Sequence, residues 1–328
     1  MSRDPDDTIE TPLRGRKVLV TGGAGFLGRR VVGRLGGKGA IVRAPRSAEY
    51  DLTEPGRAEA MLAEFEPSLL IHLAADVGGI GYNLEHPARL YLANLLMGTH
   101  VIEAARNAPS VDKTVLVGTV CSYPKLTPVP FAESELWNGY PEETNAPYGI
   151  AKKAHLVHAQ VNEQQYGQRF AYLIPTNLFG PGDKFHPSVS HVIPALIKKC
   201  VEAVESGAQS IDVWGTGSAS REYLYVDDAA DAIVRAGLAE TNAEPVNLGA
   251  DREVTIIETV ETIARLVGFA GDLRWDPTKP DGQPRRGVDG SRARSVLGWA
   301  PSMDFEQGLR NTIDWYLDNR EDAERSPS

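Results

Sequence analysis

Cysteine is scarce in this chain: 328 residues contain two, Cys121 and Cys200. That argues against a disulfide framework and against a zinc site built on closely spaced cysteine pairs, and a reducing cytoplasm is the expected compartment. Positive charge is also in deficit. Lys and Arg total 34 against 44 Asp and Glu, a formal net charge of −10, which argues against the basic face of a nucleic-acid binder. An anionic ligand would have to be held by local cations and backbone N–H groups. No run of about 18 apolar residues occurs, and the opening MSRDPDDTIETPLRG is acidic and lacks the apolar segment of a secretion signal. The expectation is a soluble, unexported protein. No internal repeat is present. What the chain does have is 42% hydrophobic residues over a length that can bury a large core, as one large or two interlocked domains.

Strand and helix patterns alternate through the first half. KVLV (17 to 20), AIVRA (40 to 44), LLIHLA (69 to 74), TVLVGT (114 to 119) and FAYLIPTN (170 to 177) are short apolar runs, as in strands covered on both faces. Helical patterns lie between them at about 25 to 36, 55 to 66, 87 to 107 and 148 to 166. The right-handed crossover rule winds this order into an α/β fold, a Rossmann-type doubly wound parallel sheet. After residue 178 the pattern is irregular, with helical stretches near 190 to 205, 227 to 239, 255 to 267 and 305 to 317 and strands such as IDVWG and EPVNLG. The expected organisation is a flexible 1–14, a dinucleotide-binding 15–177, a smaller mixed α/β substrate-binding 178–318 from which some elements can return to the sheet, and a fraying 319–328.

In VLVTGGAGFLGRRVV, Gly22, Gly25 and Gly28 follow a strand and open a helix, so a pyrophosphate can rest on N–H groups at the positive helix end. An ordinary tight turn is the competing reading. Asp51 and Leu52, after the second βα unit, stand where an adenine would lie. Ala74 and Ala75 in HLAAD are small enough for a dinucleotide to approach the backbone. The second strand ends in AIVRAPRS, offering Arg43 and Arg46 and no acid before Glu49. Arginines there favour the 2′-phosphate of NADP, with NAD as the alternative.

In NAPYGIAKKA, Tyr148 and Lys152 share one helix face. A nearby ammonium is expected to lower the phenol and make Tyr148 a usable proton donor or acceptor. Thr119 sets a hydroxyl at the end of the preceding strand.

Together GGAGFLG, HLAAD, a strand-end hydroxyl and YGIAK resemble the extended short-chain dehydrogenase/reductases of the NAD-dependent epimerase/dehydratase family that act on sugar nucleotides. From residue 118 onward, GTVCSYP, PTNLFGPGDKFHPSVSHVIPALI, VWGTGSASREYLYVDD and TKPDGQPRR resemble the GDP-L-fucose synthases of that family. The resemblance implies that Thr119, Tyr148 and Lys152 polarise a sugar ketone and that Cys121 and His191 move protons at the carbons beside it. It also implies that Phe26, Leu27, Asn94 and Pro175 line the dinucleotide, that Asn177 lies near the sugar, and that Lys199, Trp214, Arg221 and Lys279 surround the nucleotide diphosphate. The substrate implied is GDP-4-keto-6-deoxy-D-mannose, and the implied assembly is a homodimer pairing helices 87 to 107 and 148 to 166.

Carbonyl chemistry agrees with this carry-over. In a 4-keto sugar the C3 and C5 hydrogens are acidified if a donor stabilises the oxygen of the carbanion, and inversion needs a base on one face and an acid on the other. Cys121 suits the first and His191 the second; the bland alternative for Cys121 is a small core hydrophobe. His72, His86, His100, His155, His158 and His186 are read as structural or surface residues. The chain departs from the family pattern in GTVCSYP, which has Val120 where a second serine is usual, and in Ala24 of the glycine loop. Two other readings stay open: an epimerase that retains NAD(P) without net redox change, and a non-catalytic dinucleotide sensor. No metal site is expected.

Overall fold

The computed structural model describes residues 13–325 except Gly79, Ser188 and 280–282. The expected flexible start lies almost wholly outside the described residues. The first half alternates as read: β1 (Lys17–Thr21), α1 (Phe26–Gly37), β2 (Ile41–Arg43), α2 (Arg57–Phe65), β3 (Leu69–His72), α3 (Ile80–Glu85), α4 (Pro87–Asn107), β4 (Lys113–Val117), α5 (Ala146–Tyr166) and β5 (Phe170–Pro175). There follow β6 (Asn177–Phe179), α6 (Val192–Ser206), β7 (Ser210–Trp214), β8 (Ser220–Tyr225), α7 (Val226–Leu238), β9 (Pro245–Leu248), β10 (Glu253–Thr255) and α8 (Ile256–Val267). β11 (Asp272–Asp276), β12 (Arg285–Arg286), α9 (Ser291–Leu297), α10 (Phe305–Asp318) and α11 (Arg320–Ala323) complete the chain.

Six strands form one parallel sheet in the order β2-β1-β3-β4-β5-β9. Its strands β3 and β5 are buried throughout because helices cover both faces. Val18, Val20, Leu69, Ile71, Val115 and Leu173 form the core with Val31 and Leu35 of α1 and Ala229, Ile233 and Ala236 of α7. Within 178–318, β9 and α7 therefore join this sheet: PVNL is fully buried and the alanine-rich face of α7 lies flat on it.

A second group of strands sits on β8, which pairs with β6, β10 and β12, and β7 pairs with β11. Its core is separate, built from Phe179, Ile193, Ile197, Val260, Ile263, Leu309 and Tyr316. The expected fraying from residue 319 is not observed up to Arg325. Arg320 forks onto Glu205 at 2.6 and 2.8 Å and bonds Glu324 at 3.1 Å, and Lys198 bonds Glu324 at 2.5 Å. Charge complementarity pins a polar tail that its composition alone would leave loose. No described helix is long and apolar enough to cross a membrane.

Candidate active site

Strand order runs in opposite directions from β1, so the crevice beyond the carboxyl ends of β1 and β3 is where a doubly wound sheet takes a dinucleotide. After Thr21 the chain turns through Gly22 at φ 68°, a backbone region that favours glycine. A Cβ on Gly22 would lie 2.7 Å from the Ala74 amide nitrogen, and one on Gly28 would lie 2.1 Å from the Gly22 carbonyl oxygen. The turn, the first turn of α1 and the loop after β3 can close on one another only without those carbons. α1 has no acid in its first turn, and its capping residue is Gly25. Its leading N–H groups, including those of Phe26, Leu27 and Gly28, are thus open to an anion, and the cradle fits a pyrophosphate.

The loop after β3 is held from below. Ala74 N–H donates to Thr21 Oγ1 at 3.3 Å, and that oxygen pairs with His72 Nδ1 at 2.8 Å; Ala75 follows, half-buried. Asn94 is tied into this loop. Its Oδ1 accepts from Asp76 N–H at 3.0 Å, and its Nδ2 donates to the Asp76 and Leu90 carbonyls at 2.8 and 2.7 Å. At 1% exposure it shapes the loop from inside the protein.

At the ribose end Glu49, the first acid after the second strand, folds back onto the arginines: Arg43 donates to Glu49 Oε2 at 2.6 Å, and Arg46 N–H donates to Glu49 Oε1 at 2.9 Å. The five intervening residues hid this because they turn back on themselves, with Glu49 and Tyr50 N–H both bonded to the Arg46 carbonyl. Asp51 accepts from Thr53 N–H and Oγ1 at 3.0 and 2.7 Å, which holds its carboxyl below the usual range. Leu52 is buried. Alanine at both Arg43 and Arg46 is expected to weaken NADPH roughly tenfold more than NADH, the loss of a charge-assisted phosphate contact. Fluorescence titration with each nucleotide checks this, and equal losses would remove the arginines from phosphate recognition.

The catalytic candidates converge at the end of β4. Thr119 caps the short 3₁₀ turn Val120–Ser122, its Oγ1 accepting from Cys121 N–H at 3.2 Å and its O–H left to donate elsewhere. Ser122 Oγ donates to the Gly149 carbonyl at 3.0 Å, and a Cβ on Gly149 would lie 2.5 Å from the Cys121 carbonyl oxygen. The Gly of YGIAK therefore lets the first turns of α5 press directly on the cysteine turn. Pro147 in the first turn of α5 sets where that helix begins. Tyr172 hydroxyl donates to the Lys152 carbonyl at 2.7 Å and locks the next turn to β5, which ends at Pro175.

Lys152 Nζ stands 5.8 Å from the centre of the Tyr148 ring. Burial holds the Tyr148 phenol above its ordinary range, with Cys121 pushing the same way, and burial draws the Lys152 ammonium down to about 8. The expected lowering of the phenol is thus reversed. Loss of solvent sets the direction, and Tyr148 stays protonated at neutral pH, the form a proton donor needs.

His191 is the capping residue of α6. Tyr148 is half-buried and His191 is exposed. Crowding, then Lys184, lowers the His191 imidazole and favours the neutral ring, which must take up a proton before it returns one. The remaining described histidines include two spent on structure: His158 pairs with Glu103 at 2.7 Å, and His155 is buried on α5.

The proposed substrate contacts fall into two groups. Lys199 Nζ donates to the Asp212 carbonyl at 2.6 Å, two residues before the exposed Trp214, whose ring lies 5.5 Å from Lys279 Nζ. Arg221 Nη1 donates to the Gln283 carbonyl at 2.6 Å and lies opposite Arg286 in the β8–β12 pair. Asn177 Nδ2 donates to the Glu222 carbonyl at 3.1 Å. Gln283 and Arg286 themselves escaped the sequence reading, although they lie in TKPDGQPRR. Arg286 Nη1 reaches to 3.8 Å from Cys121 Sγ.

The family model "NAD dependent epimerase/dehydratase family" matches residues 18–249. The chain belongs to that family. The chain is 42% identical over 309 residues to "Probable GDP-L-fucose synthase 1" of Oryza sativa subsp. japonica, covering 93% of each chain. It is 37% identical over 316 residues to "GDP-L-fucose synthase" of Escherichia coli, covering 93% of this chain and 98% of that one. A solved structure of a GDP-L-fucose synthetase from Naegleria fowleri bound to NADP superposes with a TM-score of 0.84 at 27% identity, over 96% of this chain and 98% of that one. The chain is an enzyme.

Proposed function

We propose that this enzyme is a bifunctional 3,5-epimerase/4-reductase that converts GDP-4-keto-6-deoxy-D-mannose to GDP-L-fucose with NADPH. One observation carries the reading. A thiol, a hydroxyl and a protonated phenol over a lysine are packed into one turn-to-helix contact at the end of β4, in a chain whose relatives are named GDP-L-fucose synthases. The Rossmann half (15–177) would hold the dinucleotide at Gly22, Gly25, Gly28, Ala74 and Ala75, and 178–318 would supply the sugar-nucleotide contacts. Bound NADPH supplies a hydride for C4. Tyr148 and Thr119 hydrogen-bond the ketone oxygen, so that negative charge developing there is stabilised both when a neighbouring C–H is broken and when C4 is reduced. Cys121 removes the proton from one face and His191 returns one from the other.

Two further parts of the reading have their own support. The homodimer is supported by apolar side chains left in the open on α4 and α5, namely Tyr91, Leu92, Val157 and Val161. A reducing compartment such as the cytoplasm suits the two free cysteines.

The test is incubation with GDP-4-keto-6-deoxy-D-mannose and either NADPH or NADH, with identification of the product. GDP-L-fucose formed in proportion to NADPH consumed is the expected result. Epimerised sugar formed with no cofactor consumed would replace the reductase by an epimerase.

A further inference from the structure

The thiol proposed as base has a cation built against it from a distant part of the chain. Arg286 Nη1 approaches Cys121 Sγ to 3.8 Å, while Nε and Nη2 of the same guanidinium both donate to Gln283 Oε1 at 2.9 and 2.5 Å. The two-point grip fixes the plane of the guanidinium, as a bidentate contact does. Gln283 is 8% exposed, and its own Nε2 donates to the Lys125 carbonyl at 2.8 Å, four residues beyond the cysteine. Gln283 therefore measures the distance between the cysteine loop and the arginine.

The backbone that carries Arg286 is fixed from both sides. Arg286 pairs with Arg221 across β12 and β8. Phe131 N–H donates to the Gly287 carbonyl at 2.8 Å, and Val288 N–H donates to the buried Glu222 Oε2 at 2.8 Å. Among the described residues the Arg286 guanidinium makes no ion pair with a carboxylate, so its charge is not already neutralised beside the sulfur.

Resting on the proposed epimerase role of Cys121, we propose that Arg286 is the counter-cation of the Cys121 thiolate and that Gln283 is the positioning residue that seats it. When the sulfur takes a proton from C3 or C5, the C–H electron pair moves toward the ketone oxygen and the sulfur becomes a neutral thiol. The guanidinium stabilises the sulfur before that transfer, when it is anionic, and so raises the fraction of enzyme ready to abstract. Arg221, in register with Arg286, is the side chain implied at the diphosphate. The same strand pair would thus join nucleotide recognition to the base.

The experiment uses the full enzyme and two readouts. The first is the rate at which iodoacetamide alkylates Cys121 at pH 7, followed by peptide mass spectrometry so that buried Cys200 does not contribute. The second is deuterium incorporation at C3 and C5 from deuterated water. Arg286→Gln is expected to slow both roughly tenfold or more, Arg286→Lys to restore part of each, and Gln283→Leu to slow both while the arginine remains. NADPH affinity and far-UV circular dichroism check that each variant is folded, and Arg286→Lys and Gln283→Leu carry the test if Arg286→Gln does not fold. Alkylation of Cys121 at the wild-type rate in the arginine and glutamine variants would overturn the proposal, as would slowed alkylation with undiminished exchange. Failure of the wild type itself to exchange deuterium would overturn the epimerase reading, a result distinct from either.

Discussion

Tyr148→Phe is expected to cut NADPH-dependent reduction by roughly 10²–10⁴-fold, the usual worth of a positioned proton donor, with NADPH affinity nearly unchanged. The phenol is kept protonated by burial and by the neighbouring Cys121, so the wild-type donor is present across the neutral range. What the variant loses is an O–H aimed at the oxygen that gains charge as C4 is reduced, an interaction made most strongly in the transition state. kcat should fall with little change in cofactor binding, read by stopped-flow oxidation of NADPH and by fluorescence titration. The pH profile gives a second check. Lys152 is drawn down to about 8, so its ammonium is present below that pH and lost above it. Wild-type reduction should therefore decline as pH rises through about 8, because the ammonium no longer helps hold charge on the phenolate left by the transfer. Turnover of Tyr148→Phe close to wild type would remove Tyr148 from the donor role.

Much of this arrangement was legible in the sequence because it is local. The glycine turn, the end of β3 and the YGIAK helix each depend on residues within about one turn of each other, where periodicity and small side chains leave a direct trace. What was hidden is long-range or energetic. Arg286 and Cys121 meet across 165 positions, and no local pattern reports such a contact. Glu49 reaches Arg43 only because the chain doubles back at Arg46. The Asn94 amide meets the backbone of Asp76 across 18 positions. The direction of the Tyr148 shift was missed for a different reason. Spacing tells that a lysine shares its helix face, but only the packed structure tells that Lys152 is buried and Tyr148 half-buried.

Cys121→Ser separates the two chemistries proposed for the site. A serine hydroxyl keeps the shape of the side chain and leaves the Thr119 Oγ1 contact in place, since that contact is made by the backbone N–H of residue 121. A hydroxyl, however, is a far weaker acid than a thiol, and the Arg286 guanidinium 3.8 Å from the native sulfur cannot bring an alkoxide into the neutral range. Proton abstraction is expected to fall roughly 10²–10⁴-fold, while the Tyr148 hydroxyl and its supporting contacts remain for reduction. The variant should then oxidise NADPH by reducing the unepimerised ketone and release a product that has kept its D configuration. In deuterated water the wild type should carry deuterium at C3 and C5, and Cys121→Ser little or none. His191→Asn should behave differently: exchange continues at the face served by Cys121, but inversion stalls because no proton is returned from the other face. A normally inverted, fully deuterated product from Cys121→Ser would make the thiol a packing group, and the base for C3 and C5 would have to be sought among the other side chains facing the cleft.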